Sequence, residues 1–278
     1  MRDGGLGGKL VKRMKRFGDT LNPDDAYLSY HDIRLTRGDM QSLKDDWLTD
    51  NVISFWEECV SPKSSLCFRM SLMRCVRYLE REFLTHSKSA NIVLLRPSMS
   101  FMILQTPDPR TLREALPDFS RTTHVFLPIN DCRNVTEAEG GTHWSLLLVS
   151  IVDGLAFHYD SLPPGNYLEA HAVTMKLGNL LNRNIRYVNL EDSPVQENGS
   201  DCGVFVCLSM RYLLLKRLLT ANTNEKVSLS LGGRKVDARS GRKEIARIIE
   251  GFRKEGERRR SASMSPMGHR STSPPRIE

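Results

Sequence analysis

With 278 residues, 40% of them hydrophobic and 26% charged, the chain suits one medium domain with tails and has an ordinary globular makeup. Its net charge of +7 is crowded into Lys9 to Arg16 and Arg234 to Arg260 without a nucleic-acid-binding motif, so no specific nucleic-acid partner is expected. There is no apolar run of about 18 residues and no apolar leader segment, which argues against a membrane span or a secretory signal.

The six cysteines, Cys59, Cys67, Cys75, Cys132, Cys202 and Cys207, form no CxxC pair and no disulfide framework, so the reducing cytoplasm or nucleus is the expected compartment. Residues 1–25 read as a disordered basic arm. Thr36-Arg37-Gly38-Asp39 ahead of Met40, Leu43 and Trp47 predicts a short capped helix, and a second follows with Thr49 or Asp50 as its cap. Residues 59–77 break that second helix. Without them Trp56-Glu57-Glu58 would run on into Tyr78-Leu79 with unbroken helical periodicity, so they read as an insertion or a gene-model artefact. The spacing of their three cysteines does not suit zinc, and no metal site is expected.

A strand is expected at 91–95, a helix opened by Pro97, a short helix at 108–116 and a buried strand at 123–130. His124 then reads as a strand-end packing residue. A polar loop ending in Gly140-Gly141 precedes two strands, 143–152 and 155–160, joined by a turn at Asp153-Gly154. The turn at 162–166 leads into a helix at 167–182, and a strand follows at 185–190. The apolar signal fades after Thr220, so 221–278 reads as a basic, Ser/Arg-rich tail, largely disordered, with one candidate helix at 244–252.

The chemistry concentrates at Gln196 through Cys207, where a polar loop delivers Cys202 to the first turn of an apolar helix. Unpaired N–H groups and a partial positive charge at a helix start favour a thiolate. Gly203 leaves room beside the sulfur for a substrate backbone, and Gln196 is placed to offer an amide N–H to an oxyanion. A base is still required. His143 opens one strand and Asp160 closes the next, which would bring them to the same sheet edge; His158 is a rival base on the face of Asp160. Cys207, farther along the helix, is the natural packing cysteine.

His143-Trp144, Asp160-Ser161 and Gln196 through Cys202-Gly203, in that order and over roughly Leu28 to Leu219, resemble the catalytic set of the Ulp-type cysteine proteases. The resemblance implies an α+β, papain-like fold over residues 26–220, a mixed central sheet packed by helices with the nucleophile on a buried helix. It implies cleavage after the C-terminal Gly-Gly of a ubiquitin-like modifier by Cys202, His143, Asp160 and Gln196, without metal or cofactor. It favours His143 over His158, makes Trp47 and Trp144 the walls of a slot for glycine, and makes Asp50 a contact to the modifier tail. The stretch from Asn130-Asp131 to Gly140-Gly141-Thr142-His143-Trp144-Ser145 is most like the deneddylating branch, with the SUMO-directed branch second. A monomer is expected. A catalytically impaired modifier-binding module and a triad-reusing acetyltransferase are the alternatives from other classes.

Overall fold

A computed structural model describes residues 22–58, 91–135, 140–220, 227–263 and 273–277. Residues 1–21 of the expected arm and the whole 59–77 segment lie outside the described residues. Two short strands open the ordered chain, β1 (Ala26–Tyr30) and β2 (Ile33–Thr36), paired antiparallel. Helix α1 (Arg37–Asp45) starts as expected: the Thr36 hydroxyl accepts from Asp39 N, while the Asp39 carboxylate accepts from Thr36 N. Helix α2 (Asp50–Glu58) follows, with Val52 N reaching the Thr49 hydroxyl at 3.4 Å.

The central sheet has the order β3-β4-β5-β6-β7. Strand β3 (Ile92–Leu94) is parallel to β4 (His124–Asn130); β4, β5 (Trp144–Ser150) and β6 (Leu155–Tyr159) run antiparallel; β7 (Arg186–Asn189) is parallel to β6. Every residue of β5 is buried, as the apolar run Leu146 to Val149 at its centre demands of a strand covered on both faces. Alternation then divides the core. Leu147 and Val149 face α3 (Pro97–Gln105) and α4 (Tyr167–Leu181). Leu146 and Leu148 face α2, α5 (Cys202–Leu213) and α6 (Ala238–Ser263). Pro97 occupies the opening turn of α3, and α4 ends where Asn182 turns left-handed at φ 52°. The β5–β6 turn uses Gly154 at φ +64°, as Asp153-Gly154 predicts.

The tail departs from expectation. Residues 238–263 form one long helix, and Ile245, Ile248 and Ile249 on it are buried in the same core as Cys202. Strand β8 (Arg276–Ile277) adds to β1, giving a second sheet of order β2-β1-β8. The helix escapes a hydropathy reading because its exposed face is rich in charge, with Arg253 pairing to Glu250 and Glu257 and Arg259 to Glu255 at helical spacing. No helix among the described residues is long and apolar enough to cross a membrane.

Candidate active site

The antiparallel β5–β6 pairing decides where the site sits. Leu146 lies opposite Tyr159, so the residue before β5 and the residue after β6 fall at one sheet edge. There His143 Nε2 meets Asp160 Oδ1 at 2.6 Å, both side chains nearly buried. The Cys202 side chain acts on the same imidazole from the first turn of α5, favouring its charged form. With Nε2 given to the carboxylate, Nδ1 is the nitrogen left for sulfur. Burial works against a charged ring, but Asp160 and Cys202 together outweigh it and raise the His143 pKa to about 9. Burial likewise opposes the Asp160 carboxylate, while His143 and the backbone N–H groups of Leu162 and Asn166 hold its pKa below the usual value.

The His143 backbone is held as tightly as its ring. Asp131 Oδ1 accepts from His143 N at 3.0 Å and from Thr142 N at 2.5 Å, and Asn166 Nδ2 donates to His143 O at 3.1 Å and to Ile129 O at 2.9 Å. Gly141 supports this loop at φ +89°, where a Cβ would lie 2.0 Å from Asn130 Oδ1. Gly165 is equally constrained, because a Cβ there would come within 2.4 Å of Asp160 Oδ2 and 2.8 Å of His143 Nε2. In the sequence, Gly165 and Asn166 mark no more than a turn. The one signal available was an Asn directly after Pro163-Pro164-Gly165, six residues past the acid.

His158 is not part of this constellation. Its ring is fully buried, with Nε2 on the Ser145 hydroxyl at 2.9 Å and Nδ1 near Tyr187 and Asn189, and burial lowers its pKa. Cys207 is buried too, and burial pushes its thiol up. His124 is part-buried at the start of β4.

Gln196 lies next to Ser161, the neighbour of the acid. Its N–H donates to Ser161 O at 2.9 Å, its Oε1 accepts from the Ser161 hydroxyl at 2.7 Å, and its Nε2 donates to Asn198 O at 2.6 Å. Trp47 is 45% exposed, and its indole N–H reaches across to Gly199 O at 2.6 Å in the loop before Cys202. Trp144 is instead buried, donating to Leu48 O at 3.2 Å. Asp50 is half-buried at the start of α2. Gly203 differs from expectation. A Cβ on it would sit 2.8 Å from Leu48 Cβ, so the space beside it is occupied by Leu48 and not left open. What Gly203 permits is close approach of the α1–α2 connection to α5.

Residues 46–246 match the model of the Ulp1 protease family, C-terminal catalytic domain. The chain belongs to that family. Among Ulp1-family relatives, it is 33% identical to the Schizosaccharomyces pombe "NEDD8-specific protease 2" over 80% of this chain and 50% of that protein. It is 32% identical to the Arabidopsis thaliana "NEDD8-specific protease 1" over 68% of this chain and 76% of that protein. The Homo sapiens "Sentrin-specific protease 8" is 32% identical over 66% and 78%, respectively. The chain spans about half the length of the two fission-yeast relatives, 50% and 51%. The structure of the C-terminal Ulp1 protease domain in complex with Smt3, the yeast ortholog of SUMO, superposes with a TM-score of 0.53 over 88% of this chain and 97% of that one, at 18% identity, a likeness of fold.

Proposed function

We propose that the protein is a cysteine protease that cleaves after the C-terminal glycine of a ubiquitin-like modifier, both to process precursors and to release conjugates. The observation that carries this is the buried His143–Asp160 pair at 2.6 Å with the Cys202 side chain on the same imidazole at a helix start. Cys202 Sγ gives its proton to the His143 imidazole before the attack and then adds to the glycine carbonyl. The carbonyl oxygen becomes an oxyanion facing Cys202 N–H and the second amide hydrogen of Gln196, the first being engaged by Asn198 O. His143 then gives its proton to the departing lysine amine or peptide nitrogen, and a thioester remains. Water adds to the thioester with His143 as base, the acid leaves and the thiol is restored. Asp160 fixes the ring so that the nitrogen facing sulfur can carry out both transfers. These steps use side chains and backbone alone, without a metal or organic cofactor.

NEDD8, the cullin-type modifier, is the substrate best supported, because relatives 29–33% identical carry "NEDD8-specific protease" as their names. The half-exposed Trp47 beside the nucleophile loop suits a wall against which a glycine tail lies flat, with Asp50 as its polar contact. The reading includes action as a monomer in the cytoplasm or nucleus, without specific nucleic acid. The test is labelling with NEDD8, SUMO and ubiquitin carrying C-terminal electrophiles, on wild type and Cys202→Ala. A NEDD8 adduct that disappears in Cys202→Ala is expected. Preference for SUMO would transfer the substrate assignment, and no adduct from folded protein would end the protease reading.

A further inference from the structure

Arg242 stands in the primary structure as one basic residue among many in a tail. In the fold its side chain is only 6% exposed and directs its guanidinium into the loop that precedes the nucleophile. Nε donates to Asp201 Oδ1 at 2.7 Å, Nη2 to Ser200 O at 2.8 Å and Nη1 to Ser42 O at 2.8 Å. Two of the three acceptors belong to the residues immediately before Cys202; the third is on α1. Asp201 Oδ2 takes Asn198 Nδ2 at 2.8 Å, and Asn198 Oδ1 takes the N–H groups of Ser200 and Asp201 at 3.0 Å each. The Asn198 carbonyl in turn receives the Gln196 amide. A continuous series of bonds thus links Arg242 to both oxyanion donors, through Asn198 to Gln196 and through Asp201 to the backbone of Cys202.

Helix packing supplies the reach. A Cβ on Gly241 would lie 2.7 Å from Leu208 Cδ1 and 3.0 Å from Val204 Cγ1, so α6 runs close against α5 just where Arg242 leaves it. The task also suits arginine in particular. A planar fork donates to acceptors at fixed angles on several sides, whereas a lysine ammonium is a single point at the end of a flexible stem.

We propose that Arg242 is a positioning residue for acyl transfer: it holds the loop 196–201 in the shape that lets Gln196 and Cys202 N–H converge on the oxyanion. This rests on the protease reading above. A buried ion pair alone is poor evidence for stability, so the prediction concerns the reaction and not only the fold.

The test uses the full chain with Arg242→Lys and with the double variant Arg242→Gln/Asp201→Asn, which leaves no charge unpaired. Three quantities are measured: kcat and KM on a fluorogenic C-terminal amide of the modifier, the rate of Cys202 alkylation by iodoacetamide read by mass spectrometry, and the melting temperature. Alkylation displaces iodide at a saturated carbon and forms no oxyanion, so it samples the sulfur without the hole. Loss of one oxyanion donor costs on the order of 10²–10³ in rate, and a misplaced one about 10–100-fold. Both variants are expected to lose about 10–100-fold in kcat while KM and the alkylation rate stay within about twofold. If Arg242→Lys melts below the assay temperature, the double variant carries the same comparison. Unchanged kcat, or a parallel fall in kcat and alkylation, overturns the proposal while leaving the protease reading standing. A wild-type chain that turns over no modifier amide refutes that reading, and this proposal with it.

Discussion

His143 is held through both faces of its chemistry: Asp131 and Asn166 grip its backbone, and Asp160 and Cys202 grip its ring. The pH dependence of the reaction follows from those ring contacts. Folding takes this histidine from 6.5 to about 9 against the opposition of burial, so its proton is kept well above neutrality. Since the raised form is the charged one, its contribution to stability is complete below about pH 6.5 and is lost as pH rises through about 9. Leaving-group protonation needs the same proton, so kcat/KM on an amide is expected to fall on the alkaline side near pH 9. Asp160→Asn removes one of the bonds that raise this pKa, so it is expected to lower kcat and move the alkaline limb to lower pH. A pH–rate profile with the limb unmoved would remove Asp160 from the role given to it. At this scale the sequence was most legible where the residue type itself carries chemistry: Cys202, His143 and Asp160 stand at junctions between loops and apolar runs. Asn166 and Arg242 were illegible for the opposite reason. Each acts through acceptors remote in sequence, Ile129 O in one case and Ser42 O in the other, and nothing local marks a buried Asn or Arg as different from an exposed one.

At the scale of elements, what was read correctly had a local physical cause. The Thr36–Asp39 capping box, Pro97 in an opening helical turn and Gly154 in the hairpin need only near neighbours to work. Gly203 was misread because its constraint is tertiary. The connection from α1 to α2 lies on α5 at Leu48, and its backbone is pinned by Trp144 Nε1 bonding Leu48 O at 3.2 Å and by Trp47 reaching Gly199 O. An alanine at 203 would gain about 1 kcal/mol of helix propensity but place its methyl against Leu48 Cβ, an overpacking that costs about 1–3 kcal/mol. Because the contact is with a Cβ and not a mobile side-chain end, the clash is expected to win. Gly203→Ala should therefore lower stability by about 1–2 kcal/mol, seen as a lower denaturant midpoint with an unchanged slope. An increase in stability would mean that the 47–48 connection is free to shift.

For the whole molecule, the consequence is that the tail and the active site share one core. Ile245, Ile248 and Ile249 of α6 are buried together with Cys202, Val204 and Met210 of α5 and with Phe55 and Trp56 of α2, while Trp56 Nε1 donates to Cys207 O at 3.0 Å. A domain ending near residue 220 would leave that apolar face of α5 and α2 open to water. The family match, which runs to residue 246, likewise reaches into α6. The polar average of the helix concealed this, because only three or four residues per two turns need be apolar to bury one stripe. If α6 is integral, Ile249→Ala should behave as a core truncation and cost about 2–5 kcal/mol.

 Ile249 is 0% exposed, so its truncation leaves a cavity that solvent cannot fill. The measurement is equilibrium unfolding followed by two signals at once, far-ultraviolet circular dichroism for the whole chain and iodoacetamide access to the fully buried Cys207 for the core of α5. Coincident transitions, both moved to lower denaturant, are expected of a single cooperative unit. Loss of α6 at a denaturant concentration where Cys207 is still protected would make the helix an accessory, and would take from Arg242 the rigid base its role requires.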